Sequence, residues 1–254
     1  MPLLSDLNLE KKGLNYYEYS MASSTTIVSG YWIIKNKHTE ADFKKWFKNT
    51  LSINCPYIFF GDKQSIELVK QYRTGPTVYV ELNIEDFITY KYYNLIGTHE
   101  FHAPSKELQL IWHEKIFLME RALKLNPFDS EWFLWVDAGI CTYRNQSPTS
   151  DKWPDQIKLK TLPKDKVIFT SSNPYAKIKD GIYYHYISGT YMIHSYLLES
   201  YAALYLDTLS DYLTKDPLNW IYTDQVIHTY IFNEYPNLFY CLGQGYGTII
   251  PLLA

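Results

Sequence analysis

From Glu131 to Gly139 the chain reads EWFLWVDAG. The unbroken run of aromatic and aliphatic strand formers from Trp132 to Val136 marks a strand that can be covered on both faces. Such a strand belongs inside a sheet with helices packed above and below it. Asp137, the carboxylate that ends the run, needs solvent, a metal or a ligand at the strand's carboxyl edge. The plainer alternative is an acid that opens an ordinary turn with Ala138 and Gly139.

The rest of the chain supplies the covering layers. Thr25–Ile34 (TTIVSGYWII) reads as a first strand, interrupted at Ser29-Gly30, where backbone could approach a ligand closely. Thr39–Ile53 reads as a helix, with Thr39 as N-cap, Glu40 and Asp42 in the first turn, and Phe43, Trp46, Phe47 and Leu51 at helical spacing. Pro56–Gly61 is a short buried strand, Lys63–Tyr72 a helix and Thr77–Leu82 a third strand. This alternation predicts an α/β fold with a mostly parallel sheet and helices on both faces.

Glu85–Pro104 reads as a loop-rich insertion over one end of the sheet. Ser105–Leu125 returns to helical period, with Leu108, Ile111, Trp112, Ile116, Met119 and Leu123 as its buried stripe and Asn126-Pro127 as its stop. Lys115 borders that stripe, either drawn inward or left as a solvated lysine, whereas His113 and Glu114 are expected at the surface. Thr142–Pro163, rich in Ser, Pro, Asp and Lys, reads as a long surface loop. A mixed half follows, with strands at Val167–Thr170 and Tyr183–His194 and helices over Tyr196–Thr214 and Tyr222–Asn233. The chain thus divides into a lead segment, residues 1–24, and one domain, 25–254, whose halves meet near residue 140.

Composition excludes several function classes. A formal net charge of -3 over 254 residues argues against a general nucleic-acid binder. Three widely spaced cysteines without a CxxC pair indicate neither a disulfide framework nor a structural zinc site, and they fit a reducing, cytoplasmic compartment. No stretch approaches the roughly eighteen apolar residues of a transmembrane segment, although attachment to a membrane surface stays open. Twenty-five Tyr, seven Trp and twelve Phe can fill a core and can also stack on sugar rings or bases.

TIVSGYW, the helix segment WFKN (Trp46–Asn49), the block ELQLIWHEKIFLMERALKLNPF (Glu107–Phe128) and FLWVDAGI (Phe133–Ile140) together resemble the bacterial HtrL/YibB-like proteins. Those look like nucleotide-sugar glycosyltransferases of the GT-A fold. The resemblance implies a donor that is a nucleotide-diphosphate sugar, with UDP favoured, and a glycan or glycoconjugate acceptor. It also implies a divalent metal, Mn2+ or Mg2+, bound through an Asp-x-Asp motif after the central strand. Asp137 stands at the first position of that motif and is the implied metal ligand. Gly139 stands where the second Asp belongs, so either Asp137 recruits the ion alone, another residue completes the shell, or protein cations replace the metal.

The same resemblance assigns the remaining site residues. Lys115 occupies the place of a basic residue that contacts donor sugar or phosphate. Val28, Ser29 and Tyr31, at the first strand's end, and Asp62, after the second strand, are the implied neighbours of base and ribose. Ser188 and Gly189 lie in a turn and strand similar to the acceptor side of GT-A sites, although Ser-Gly within a strand is also a common bulge. Asp224 and Gln225 resemble the acid-Gln pair that opens a late helix in several sugar transferases. Asp224 is then the catalytic base, or else a helix cap. His228, one turn later, reads as a core residue with a site-facing role as the alternative. Gly243–Gly247 lacks the strand-turn-helix setting of a phosphate loop and reads as a flap over the diphosphate or an irregular tail. A sugar-binding protein without catalysis and a metal-dependent nucleotide-sugar hydrolase remain the rival readings.

Overall fold

The computed structural model describes residues 23–172, 186–215 and 223–254. The lead segment through residue 22, the first part of the expected strand at Tyr183–His194 and Tyr222 lie outside the described residues.

Seven strands form one sheet: β1 Thr25–Gly30, β2 Tyr57–Gly61, β3 Thr77–Glu81, β4 Trp132–Trp135, β5 Val167–Ser171, β6 Ile187–His194 and β7 Phe239–Gln244, in the order β3-β2-β1-β4-β6-β5-β7. β1 pairs in parallel with β2 and β4, and β2 with β3. β6 runs antiparallel to both β4 and β5, while β7 is parallel to β5. The mostly parallel half and the mixed half expected from the sequence are both present.

The period-two alternation along β4 explains why the sheet is buried on both sides. Phe133 and Trp135 face a core shared with Val28, Phe60 and Tyr191, covered by α3 (Lys106–Leu125), α5 (Ser195–Lys215) and α6 (Asp224–Glu234). Trp132 and Leu134 face the opposite core with Ile27, Tyr57 and Met192. That face is covered by α1 (Glu40–Thr50), α2 (Lys63–Val69), α4 (Gln156–Lys160) and α7 (Ile249–Leu252). α1 begins in a capping box: Thr39 Oγ1 accepts from the Asp42 amide at 3.2 Å, and the Asp42 carboxylate accepts from the Thr39 amide at 2.9 Å.

Several expectations are corrected. β1 ends four residues early because Trp32 folds back beside Gly30 and donates its indole N–H to the Leu82 carbonyl at 2.9 Å. The stretch 142–163 is no free surface loop. Tyr143, Trp153, Leu159 and Leu162 are buried in the second core, and Trp153 donates to the Ile250 carbonyl at 2.8 Å. Its polar composition concealed four apolar anchors. Residues 84–92 form short 3-10 turns docked on α3 rather than open loop. The glycine-rich tail is not irregular: Phe239–Gln244 is a strand, and Gly245 and Gly247 take positive φ in the turn that leads to α7.

His113 and Glu114 are not at the surface. Both are fully buried, because the turns at residues 84–92 cover Glu114 and Tyr205 of α5 covers His113, on faces of α3 that the helical pattern left to solvent. Glu114 accepts hydrogen bonds from the amides of Ile88 and Thr89, each at 3.0 Å, and from the Thr89 hydroxyl at 2.8 Å. Burial pushes its pKa up to about 7 against the pull of those donors. Glu114→Ala leaves three donors without their acceptor and is expected to cost roughly 3 kcal/mol of stability. Urea denaturation checks this, and a loss under about 1 kcal/mol would show that water replaces the carboxylate at little cost.

Candidate functional site

The strand order reverses direction between β1 and β4, since the chain steps from β1 outward to β2 and β3 and then returns to lay β4 on the other side. In a parallel sheet the loops that leave two such strands part from each other and open a crevice at their carboxyl ends. Gly30–Trp32 leave β1 there, and Val136–Gly139 leave β4. The crevice is a cavity of about 140 Å³ whose walls include Tyr31, Lys37, Trp112, Asp137, Gly139 and Arg144. Whole-ligand pockets are typically about 300–1,000 Å³, so the enclosed part suits one portion of an extended ligand.

Behind Asp137 lies a buried cluster of charge. Lys115, on α3, is 2% exposed, and its ammonium stands 3.1 Å from Asp137 Oδ1 and 3.2 Å from Asp224 Oδ2. The Trp135 indole also donates to Asp137 Oδ1 at 2.8 Å. Asp224 is the first residue of α6 and is likewise 2% exposed. Burial raises its pKa to about 6, with Asp137 adding to the rise and Lys115 opposing it. Burial draws the pKa of Lys115 down, yet the two carboxylates outweigh burial and leave it raised. Thr223, the residue ahead of α6, makes no capping hydrogen bond with its side chain.

The surface beneath Asp224 is aromatic and uncharged. His228 accepts or donates through Nδ1 to the Tyr201 hydroxyl at 2.6 Å, and His113 does the same with Tyr205 at 2.8 Å. Burial lowers both imidazole pKa values, that of His113 to about 3 and that of His228 well below its ordinary value. Both rings are neutral at pH 7, so His228 is the core residue of the two readings. This dry floor explains why Asp224 depends on Lys115 for its charge.

Asp137, Lys115, Asp224, Gly189 and Gln225, drawn from four separate parts of the chain, therefore converge. An added Cβ at Gly189 would lie 3.2 Å from the Lys115 ammonium and 4.0 Å from Asp224, so the space that glycine leaves is used by the lysine. Gln225 donates to the Ile187 carbonyl at 2.8 Å and to the Tyr246 hydroxyl at 3.1 Å, tying α6 to the C-terminal turn. Ser188 is buried, with its hydroxyl bonded to Thr170 Oγ1 and the Thr190 carbonyl, both at 3.1 Å.

The base-side residues stand apart from this group. The Val28 and Ser29 side chains are fully buried and do not line the cavity, because β1 is central and only residues beyond its carboxyl end reach the crevice. Tyr31 does line it, packed on Phe43 and Phe47 at centroid distances of 4.9 and 5.1 Å. Asp62 caps α2, accepting from the Ser65 amide at 2.8 Å, outside the cavity wall. Sequence reasoning missed Lys37 and Arg144; the signal was a basic residue in each of the loops that follow β1 and β4.

A divalent ion finds a poor donor set. Among the described residues no three His, Cys, Asp or Glu side chains gather to hold a metal. Lys115 already occupies the cation position between the two aspartates. A side chain at Gly139 would meet the Phe43 ring at 2.8 Å and Trp46 at 3.2 Å, so the second carboxylate of an Asp-x-Asp motif has no room. Among the described residues, the side chains at this site do not fit a resident divalent ion.

The family model described as "Bacterial protein of unknown function (HtrL_YibB)" matches residues 98–248, more than half of the chain. The chain belongs to the HtrL/YibB family. No curated protein matches this HtrL/YibB chain. Among solved structures it is similar to core-mannan synthase A of Aspergillus fumigatus in a Mn/GDP form, at 13% identity over 85% of this chain and 70% of that one, with a TM-score of 0.50. Mouse xyloside xylosyltransferase 1 in its apo form is 13% identical over 85% of this chain and 84% of that one, with a TM-score of 0.49. The galactosyltransferase LgtC, in complex with donor and acceptor sugar analogs, is 12% identical over 82% and 70%, with a TM-score of 0.45. At such identities the likeness is one of fold, carried by the core-mannan synthase match. This HtrL/YibB member has the GT-A architecture. No helix among its described residues is long and apolar enough to cross a membrane.

Proposed function

We propose that this chain is a glycosyltransferase that moves a sugar, a hexose favoured, from a nucleotide-diphosphate donor to a hydroxyl of a glycan or glycoconjugate acceptor. UDP is the favoured nucleotide. The observation that carries the reading is the Asp137–Lys115–Asp224 group standing at the carboxyl edge of β4 beside the crevice at the strand-order reversal. A GT-A frame alone would suit many chemistries, whereas a buried, charge-balanced acid beside a solvent-facing one suits proton removal next to a leaving anion.

In the reaction we assign Asp224 as the base. The acceptor oxygen bonds to the anomeric carbon and its proton passes to the Asp224 carboxylate. The bond from the anomeric carbon to the diphosphate oxygen breaks, and its electron pair leaves with the diphosphate. Such a single displacement inverts the anomeric centre, which NMR of the product checks. Lys115 keeps Asp224 ionised, and Asp137, with Tyr31 on the same cavity wall, orients the donor. Gln225, Ser188 and Gly189 shape the acceptor side, the last two through backbone and packing.

A thermal-shift and calorimetric screen of UDP, GDP and their sugars tests the donor. Ligand at about 100 times its Kd raises stability by roughly 2.7 kcal/mol, which reads as a clear rise in Tm. The expected result is a rise with one nucleotide and its sugars only. If no nucleotide stabilises the protein while free sugars do, the reading gives way to a sugar-binding protein without catalysis. Release of free sugar at the same rate with and without acceptor would indicate a hydrolase.

A further inference from the structure

Resting on the donor reading above, we infer that Lys37 and Arg144 form a cationic cradle that binds the donor's diphosphate in place of a divalent ion. A departing diphosphate carries at least two negative charges, and some cation must meet them. Asp137 is the carboxylate on the cavity wall, and its Oδ1 is already engaged by Trp135 and Lys115. Two further cations line the same cavity.

Arg144 is held from behind. Its Nε donates to the Gly139 carbonyl at 2.9 Å, and its guanidinium lies 3.8 Å from the centre of the Trp46 ring. The turn that lacks a second carboxylate thus uses its backbone to anchor a guanidinium, whose terminal N–H groups keep a fork suited to phosphate oxygens. The Lys37 ammonium stands 5.3 Å from the Trp112 ring centre. Neither side chain makes an ion pair with a described residue, so both charges are available to an anion. Lys37 is exposed as a residue, yet crowding at its ammonium lowers its pKa. Asp137 opposes that fall, and Lys115 and Arg144 add to it. On the cavity wall two cations, Lys37 and Arg144, face one carboxylate, Asp137, which Lys115 also engages, and this leaves the crevice with a surplus of positive charge.

Calorimetry of the full chain with UDP, GDP, UMP and inorganic pyrophosphate, each in EDTA and in Mn2+, tests the cradle. The expected Kd for UDP or GDP changes by less than about threefold between the two conditions. Lys37→Met and Arg144→Met each weaken that binding about tenfold or more, the loss of one charge-assisted contact, while UMP changes less than about threefold. Lys37→Arg restores affinity. Each variant is checked by its Tm, and Lys37→Met, which keeps the stem of an exposed residue and removes only its charge, reads the charge even if loss of Arg144 disturbs Trp46. Nucleoside diphosphates that bind only with Mn2+, and equally well to both Met variants, would overturn the cradle while leaving the donor reading intact. Pyrophosphate bound without metal as tightly as any nucleoside diphosphate, and lost in the Met variants, supports the cradle and removes the donor reading. No binding of any probe in either condition overturns both.

Discussion

Lys115→Met is expected to lower the free energy of unfolding by about 3 kcal/mol at pH 8 and by clearly less at pH 5. The lysine is the only ion-pair partner of the buried Asp224 among the described residues, and it also separates Asp224 from Asp137. Met keeps the length of the stem, so packing against α6 and Gly189 survives and the lost charge is what the experiment reads. The folded pKa of Asp224, about 6, lies above the ordinary aspartate value of 3.8. The folded state therefore holds the proton more tightly, and the stability linked to this group falls as pH rises from about 3.8 to 6. Without Lys115, burial and Asp137 act unopposed, the folded pKa climbs further, and the fall extends to higher pH. At pH 5 the variant's Asp224 is protonated and little is lost, whereas at pH 8 it must stay charged without a partner or take up a proton at a cost. Lys115's own raised pKa keeps its contribution present below about pH 10.5. Urea denaturation at the two pH values measures the difference. An equal loss at both would mean that Lys115 acts through packing.

Asp224→Asn is expected to divide the rate of sugar transfer by about 10²–10⁴ while changing stability by less than about 1 kcal/mol. Asn fills the same volume and still offers an oxygen to Lys115, and a neutral side chain suits the dry floor of Tyr201, Tyr205 and His228 better than a carboxylate does. What it lacks is the capacity to take a proton. Donor affinity should stay within about threefold, because Asp224 does not line the crevice wall. Activity of the native protein should fall below about pH 6, as Asp224 becomes protonated, and the variant's residual activity should lose that acid limb. Product release, measured with whichever sugar nucleotide binds, gives both numbers. A variant that keeps a tenth or more of native turnover would remove Asp224 from the role of base.

The sequence exposed the sheet well because its strands are short, apolar and separated by turn residues, and the parallel half follows from their alternation with helices. Asp137 was legible because a charge at the end of WFLWV has few bland explanations. Lys115 was ambiguous: its helical spacing borders the apolar stripe, and only the arrival of α6 and β6 from far along the chain turns it inward. His113 and Glu114 were misread for a related reason. A helical pattern marks the face that meets the sheet, but α3 is also covered by α5 and by the turns at residues 84–92, which single-helix periodicity does not register. The engagement of the Ser188 hydroxyl was not legible because its partners, Thr170 and Thr190, are brought to it by the folded strands. Lys37 and Arg144 escaped notice because neither belongs to a motif; what unites them is the space between two loops.

The contact between Gly139 and Phe43 also limits how this site could change over generations. Phe43 belongs to an aromatic group with Tyr31, Trp46 and Phe47, so it cannot yield without disturbing the wall of the crevice. A single substitution of Gly139 by Asp pushes a carboxylate into that group and displaces the turn whose carbonyl holds Arg144. Shrinking Phe43 first opens a hole with nothing to fill it. Either order passes through a weakened intermediate, so a lineage with this pair is held to its one-aspartate turn by the neighbours of the glycine as much as by selection on the glycine itself.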